Sequence, residues 1–168
     1  DHKIGSGARC AMIGYGSWAT ALAKVLTENE PSIGWYVRNP EVLESLRDKG
    51  RNPRYLSNVR FDRTRINPSD DLDRVVSEAD IVILAVKPKD QRAVIKEISP
   101  IVVGHPDVCV VSLAAGRTLD QITTDFGAGI PLVRVMPNVA ATVGQSMTAL
   151  TAARATDAQV AAVRSLMD

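Results

Sequence analysis

A glycine turn between an apolar run and a helical pattern constrains the fold of this chain more than any other feature. The apolar run covers residues 10–13, and small and apolar residues recur at helical spacing from position 19 to position 26. The turn and the start of the helix comprise Gly14, Tyr15, Gly16, Ser17, Trp18 and Ala19. Gly14 permits a tight turn, Gly16 leaves room for an anion to approach the backbone, and Ala19 allows close packing of helix on strand. Because the helix N-terminus adds free N–H groups and a positive dipole end, the turn predicts the pyrophosphate site of a dinucleotide.

Short apolar runs alternate with helical patterns along the rest of the chain. The predicted strands cover 10–13, 33–37, 64–66 (a weak one), 81–86, 108–113, 132–135 and 147–151. The predicted helices cover 18–27, 40–49, 71–79, 89–98, 119–126 and 158–167, with Gly50 ending the second. Several runs are apolar nearly throughout, as in strands buried on both faces of a parallel sheet. We therefore predict an α/β fold: a doubly wound, mostly parallel Rossmann sheet with helices on both faces, in a single domain.

Composition excludes several other classes of protein. The chain has 168 residues, 45% of them hydrophobic and 23% charged, with a net charge of +1, so neither nucleic acid nor a membrane is an expected partner. The polar residues 1–7 are interpreted as a tag remnant or a disordered start, and 8–168 as the NAD(P)-binding domain. Cys10 and Cys109 lie in apolar runs and are predicted to be buried thiols of a cytoplasmic protein. His2 and His105 belong to no cluster with metal-ligand spacing, so no metal site is expected.

Residues 50–65 break the alternation. They contain five arginines and little periodicity. We interpret them as a solvated excursion between the second helix and the third strand. A basic patch for phosphates or nucleic acid is the alternative.

Arg38 and Asn39 stand where the ribose of a dinucleotide is read, about 20 residues past the turn. An NAD-specific domain usually has Asp or Glu there, whereas a guanidinium can pair with the 2′-phosphate of NADP. The expected cofactor is therefore NADP, with NAD as the alternative. If Arg38 is only an exposed residue at the entry to a helix, this preference has no basis.

The ends of three later strands complete the predicted site at the carboxyl edge of the sheet. Pro88 is a rigid apolar edge for the nicotinamide ribose, and Asn138 offers a donor and an acceptor, although Asn after Pro is also common in turns. Lys87 would contact phosphate or substrate, or would be a surface lysine. The residues predicted here are Ala85, Val86, Lys87, Pro88, Ala114, Ala115 and Asn138.

Two families resemble different parts of the chain. From about residue 81 to residue 166, the strings ADIVILAVKP, VVSLAAGRTL and VRVMPNVAATVGQSMTAL resemble pyrroline-5-carboxylate reductases. In the first third, GYGSWATALAKVL, WYVRNPEVL and NPRYLSNVRF resemble bacterial glycerol-3-phosphate dehydrogenases, whereas the reductases tend to carry Asn-Met in place of Ser17-Trp18. Both families place a Rossmann domain before a helical domain.

The resemblance implies roles for the predicted site residues. Gly14, Gly16, Ser17 and Trp18 would hold the pyrophosphate, and Arg38-Asn39 would meet the adenosine ribose. The nicotinamide half would lie along Val86, Lys87, Pro88, Ala114 and Ala115, with Asn138 near the reacting carbon.

The reductase resemblance implies hydride transfer from NADPH to a cyclic imine, in proline biosynthesis. The dehydrogenases have a lysine after the fifth strand, and Ala114-Ala115-Gly116 stand there instead. The helical domain, with its dimer contacts and substrate groups, would follow Asp168. We therefore expect a cofactor domain without identified catalytic residues, which could form an oligomer through the face that the helical domain would cover. A non-catalytic or engineered dinucleotide-binding domain and a glycerol-3-phosphate dehydrogenase are the alternatives.

Overall fold

A computed structural model describes residues 8–113, 116–136 and 149–167 of the chain. Strands and helices alternate as the sequence predicts, and the predicted seventh strand follows the sixth with bounds shifted by two residues. In chain order the elements are β1 (Cys10–Ile13), α1 (Ser17–Asn29), β2 (Ile33–Tyr36), α2 (Pro40–Lys49), β3 (Ile66–Ser69), α3 (Leu72–Ser77), β4 (Ile81–Leu84), α4 (Pro88–Val103), β5 (Cys109–Ser112), α5 (Leu119–Phe126), β6 (Leu132–Met136), β7 (Ala149–Ala153) and α6 (Asp157–Met167).

The strands form one sheet in the order β3-β2-β1-β4-β5-β6-β7. The first six strands are parallel, and β7 pairs antiparallel with β6. Side chains from α1, α2 and α6 form the core on one face, while those from α3, α4 and α5 form the core on the other. The predicted fold class, a doubly wound Rossmann sheet with helices on both faces, is confirmed. The strand order reverses between β1 and β4, which is where open α/β sheets bind ligands at their carboxyl ends.

Several predicted elements differ from the structure by one or two residues at an end, and two differ by more. The weak strand at 64–66 is β3, Ile66–Ser69, and it contains Pro68. Since β3 is an edge strand, the missing N–H of Pro68 breaks no sheet. Helix α4 continues past the predicted end at residue 98 to Val103, with Pro100 inside it.

Both cysteines are free and buried, as predicted. Burial raises the pKa of the Cys109 thiol to about 12 and raises the pKa of Cys10 further still. Within the described ranges, no helix has the length and apolar character needed to cross a membrane.

Candidate cofactor site at the carboxyl edge of the sheet

The fold requires glycine at position 14 of the turn but not at position 16. Gly14 has φ +125°, and a Cβ atom there would lie 2.2 Å from the carbonyl oxygen of Ala85. The fold itself therefore requires glycine at 14, because the end of β4 passes directly against it. Gly16 is the N-cap of α1 with an ordinary extended conformation, φ −72° and ψ −174°. A Cβ atom at Gly16 would meet nothing within 4 Å, so no contact within the described chain requires glycine there.

Side chains from inside the protein hold three successive carbonyl groups of the turn. The indole N–H of Trp35 donates to the carbonyl oxygen of Gly14 at 2.6 Å. The side-chain amide of Asn52 donates to the carbonyl oxygen of Tyr15 at 2.8 Å. The hydroxyl of Thr20 donates to the carbonyl oxygen of Gly16 at 2.7 Å. Trp35, Asn52 and Thr20 are all fully buried. The carbonyl groups of the turn are therefore held by the protein interior.

These anchors also set the direction of the backbone N–H groups. In a trans peptide the N–H points opposite to the carbonyl, and the structure has no cis peptide bonds in its described part. The N–H groups of Tyr15, Gly16 and Ser17 therefore point away from the three anchors. They lie beside the N-terminus of α1, whose first turn contains no acidic residue. Such a row of donors at a helix N-terminus is suited to a bound anion.

Asn52 is a site residue that the sequence patterns do not predict. Residues 50–65 are predicted to be a solvated excursion, but Asn52 is fully buried and Phe61 is 6% exposed. The Asn52 amide also donates to the Thr20 hydroxyl at 3.0 Å, and its oxygen accepts from the backbone N–H groups of Arg54 and Tyr55. The asparagine therefore ties the loop to the turn. The Asn52-Pro53 pair is a turn pattern, which was the only local indication of this role.

Arg38 and Asn39 lie directly after β2, as predicted, but both have partners within the chain. The Asn39 side chain accepts from the backbone N–H of Val42 at 3.1 Å and so caps α2. One terminal nitrogen of Arg38 donates to both carboxylate oxygens of Glu97, each at 2.8 Å, and its Nε donates to the hydroxyl of Tyr36 at 3.5 Å. The hydrogen bonds to Tyr36 and Glu97 raise the pKa of Arg38 above its usual range.

The remaining predicted residues lie at the same edge where the structure describes them. Ala19 and Ala85 are buried, Tyr15 and Val86 are half-buried, and Ser17 is exposed. Trp18 is exposed in the first turn of α1, while Lys87 and Pro88 are exposed at the start of α4. Ala114, Ala115 and Asn138 lie outside the described residues.

Comparison with known proteins places the chain in a family. The model of the NAD-dependent glycerol-3-phosphate dehydrogenase N-terminus matches residues 9–161. The chain belongs to this family. The prediction of a nicotinamide dinucleotide as cofactor is thereby confirmed, and so is the resemblance to the dehydrogenases.

Individual relatives of this dehydrogenase-family domain come from both groups that the sequence resembles. A glycerol-3-phosphate dehydrogenase [NAD(P)+] of Nocardia farcinica is 30% identical over 162 residues, which cover 89% of this chain and 48% of the relative. A solved pyrroline-5-carboxylate reductase from Coxiella burnetii is 27% identical with a TM-score of 0.74, covering 95% of this chain and 55% of that one. A pyrroline carboxylate reductase of Plasmodium falciparum, solved with NADP bound, shares the fold at 17% identity and a TM-score of 0.71, covering 97% and 55%.

The chain spans about half the length of the Nocardia relative. The matched range 9–161 contains the glycine turn, the Asn52 loop and Arg38. Membership in the family therefore concerns the cofactor-binding part of these enzymes.

Proposed function

We propose that this domain binds a nicotinamide dinucleotide with its pyrophosphate over Gly16 and the N-terminus of α1, as the cofactor domain of an oxidoreductase. The open space at Gly16 is the observation that carries the proposal. No described contact fills it, and the anchors on the carbonyls of residues 14–16 turn the adjacent N–H groups away from the protein interior. A bound pyrophosphate accounts for a glycine that the fold does not need.

The direction of the strands predicts where the two halves of the cofactor would lie. The adenosine half would extend from the turn toward Arg38 at the end of β2, and the nicotinamide half toward Val86, Lys87 and Pro88 after β4. Ala114, Ala115 and Asn138 remain the predicted contacts of the nicotinamide half. When bound, the cofactor would supply the hydride, while the protein would orient the ring against the substrate and exclude water.

For the reaction, we propose reduction of a cyclic imine, as in the pyrroline-5-carboxylate reductases. The support is the sequence after the fifth and sixth strands, where VVSLAAGRTL and VRVMPNVAATVGQSMTAL resemble the reductases and no lysine follows β5. In this proposal residues 8–168 are the NAD(P)-binding domain. A helical domain, or a second copy of the chain, would complete the substrate site on the face that carries α6.

Oxidation of glycerol 3-phosphate is the second candidate. Family membership over residues 9–161 and the similarity to curated dehydrogenases favour it. The small residues Ala114-Ala115-Gly116 at the position of the dehydrogenase lysine count against it.

Two measurements test the proposal, first of cofactor binding and then of turnover. Titration of the chain with NADPH and NADH, followed by cofactor fluorescence, is expected to show saturable binding that the Gly16→Val variant lacks. Absence of binding by the unaltered chain would refute the cofactor site.

Turnover is then assayed with the chain alone and with a helical domain of either family joined after residue 168. NADPH oxidation with pyrroline-5-carboxylate supports the first reaction, and NAD reduction with glycerol 3-phosphate supports the second. Cofactor binding without either turnover would identify a non-catalytic dinucleotide-binding domain instead.

A further inference from the structure

The partner of Arg38 is a carboxylate that lies far from it in the sequence. Glu97, 59 residues away, accepts from one terminal nitrogen of Arg38 with both oxygens at 2.8 Å. The side chains of Arg38 and Glu97 are 64% and 43% exposed. The pair therefore lies at the surface, where a ligand can reach it.

Both partners of Arg38 lie on the face of the sheet that carries α4. Tyr36 is the last residue of β2 and packs against the core of that face. Glu97 lies in the third turn of α4, about 14 Å along the helix axis from Pro88. Helix α4 starts at the carboxyl edge and returns toward the amino edge. Arg38 therefore joins the end of β2 to the third turn of α4, and a cofactor phosphate at the proposed ribose position would need the same guanidinium.

We propose that Glu97 and the 2′-phosphate of NADP compete for Arg38, so that Glu97 sets the preference of this site between NADP and NAD. The inference rests on the proposed cofactor site. A 2′-phosphate must draw the guanidinium from the carboxylate. NAD has only a hydroxyl at this position, so it can bind while Arg38 stays on Glu97. Glu97 is a positioning residue in this scheme, because it acts on the cofactor through Arg38.

The size of the effect follows from the exposure of the pair. Exposed ion pairs contribute little, up to a factor of about five in an equilibrium constant. Glu97→Gln is therefore expected to lower the Kd for NADPH by about two- to fivefold. The Kd for NADH should not change.

The test compares the Kd values of both cofactors, by fluorescence titration, in the unaltered chain and in four variants. Glu97→Gln and Glu97→Ala remove the competing charge, Arg38→Ala removes the shared partner, and the fourth is the double variant of Glu97→Gln with Arg38→Ala. The matched control is Glu78→Gln, which changes the net charge equally. Glu78 is 61% exposed and contacts Arg74 at 3.5 Å. Thermal unfolding without cofactor confirms that each variant is folded.

Three results support the inference together. Removing Glu97 tightens NADPH alone, Arg38→Ala weakens NADPH more than NADH, and Glu97→Gln has no effect once Arg38 is absent. Equal tightening of both cofactors, an unchanged ratio, the same change in Glu78→Gln, or persistence of the effect without Arg38 would each overturn it while leaving the cofactor site intact. If the unaltered chain binds neither cofactor, the cofactor site and this inference fail together.

Discussion

The contrast between the two glycines of the turn supplies a prediction that separates folding from binding. We expect Gly16→Val to abolish cofactor binding while leaving the free energy of unfolding nearly unchanged. Gly14→Ala should instead lower the free energy of unfolding, because it strains the fold itself. Both substitutions add a side chain to the same turn, so each is the control for the other.

The magnitudes follow from the local geometry. At Gly16, φ is −72° and an added Cβ meets no atom within 4 Å, so the change in stability should stay within about 1 kcal/mol. A side chain there would keep the pyrophosphate from the N–H groups of the turn. Loss of two charge-assisted hydrogen bonds, at about 1.5 kcal/mol each, weakens binding by roughly 100-fold.

At Gly14 the strain arises within the protein. The φ of +125° is unfavourable for any L side chain, and the added Cβ would lie 2.2 Å from the Ala85 carbonyl oxygen. Strain and overpacking together should cost about 3 kcal/mol or more. The end of β4 must then move away from the turn.

Urea unfolding followed by circular dichroism measures the first quantity, and fluorescence titration with NADPH and NADH measures the second. The reasoning is refuted if Gly16→Val binds either cofactor as tightly as the unaltered chain. It is also refuted if Gly14→Ala is as stable as Gly16→Val, because the close approach to Ala85 would then have no energetic consequence.

Three further predictions concern buried groups. Asn52→Ala leaves the Tyr15 carbonyl with only the longer contact from the Thr20 hydroxyl, at 3.4 Å, and should cost about 2 kcal/mol of stability while weakening NADPH and NADH equally; unaltered binding in titrations of the folded variant would contradict the anchoring role. Burial raises the pKa of both the Cys10 and Cys109 thiols, so neither should react with a disulfide reagent at pH 8 until urea unfolds the chain; rapid labelling of the native protein would argue against it. Burial also raises the pKa of Glu30, so its ionised form disfavours folding above that pKa, and the penalty disappears as the pH falls below the unfolded value. Glu30→Gln should therefore raise the urea midpoint at pH 7 and leave it unchanged below pH 4, and a gain of the same size at both values would exclude this cause.

The sequence by itself determined the features that depend on neighbours along the chain. Helix α2 occupies residues 40–49 as predicted, because Asn39 caps its start and Gly50 ends it in the left-handed conformation. The glycine turn likewise follows from three adjacent requirements, namely a buried strand, a turn and a helix N-terminus. Alternation of apolar runs and helical patterns then limits the chain to a doubly wound sheet. All of these interactions span only a few residues, so their patterns are visible in the sequence.

Only the tertiary structure decided how the turn is held and what Arg38 contacts. Trp35 and Asn52 reach the turn across 21 and 37 residues of sequence, and Glu97 reaches Arg38 across 59. No periodicity or short motif records such pairs, because they depend on which strands become neighbours and on how the helices pack on the sheet. The same holds for β3, where Pro68 disfavours a strand locally and only the edge position permits one. The sequence predicts an anion-binding turn and an arginine behind it, whereas the fold decided that buried side chains fix the turn and that a carboxylate already holds the arginine.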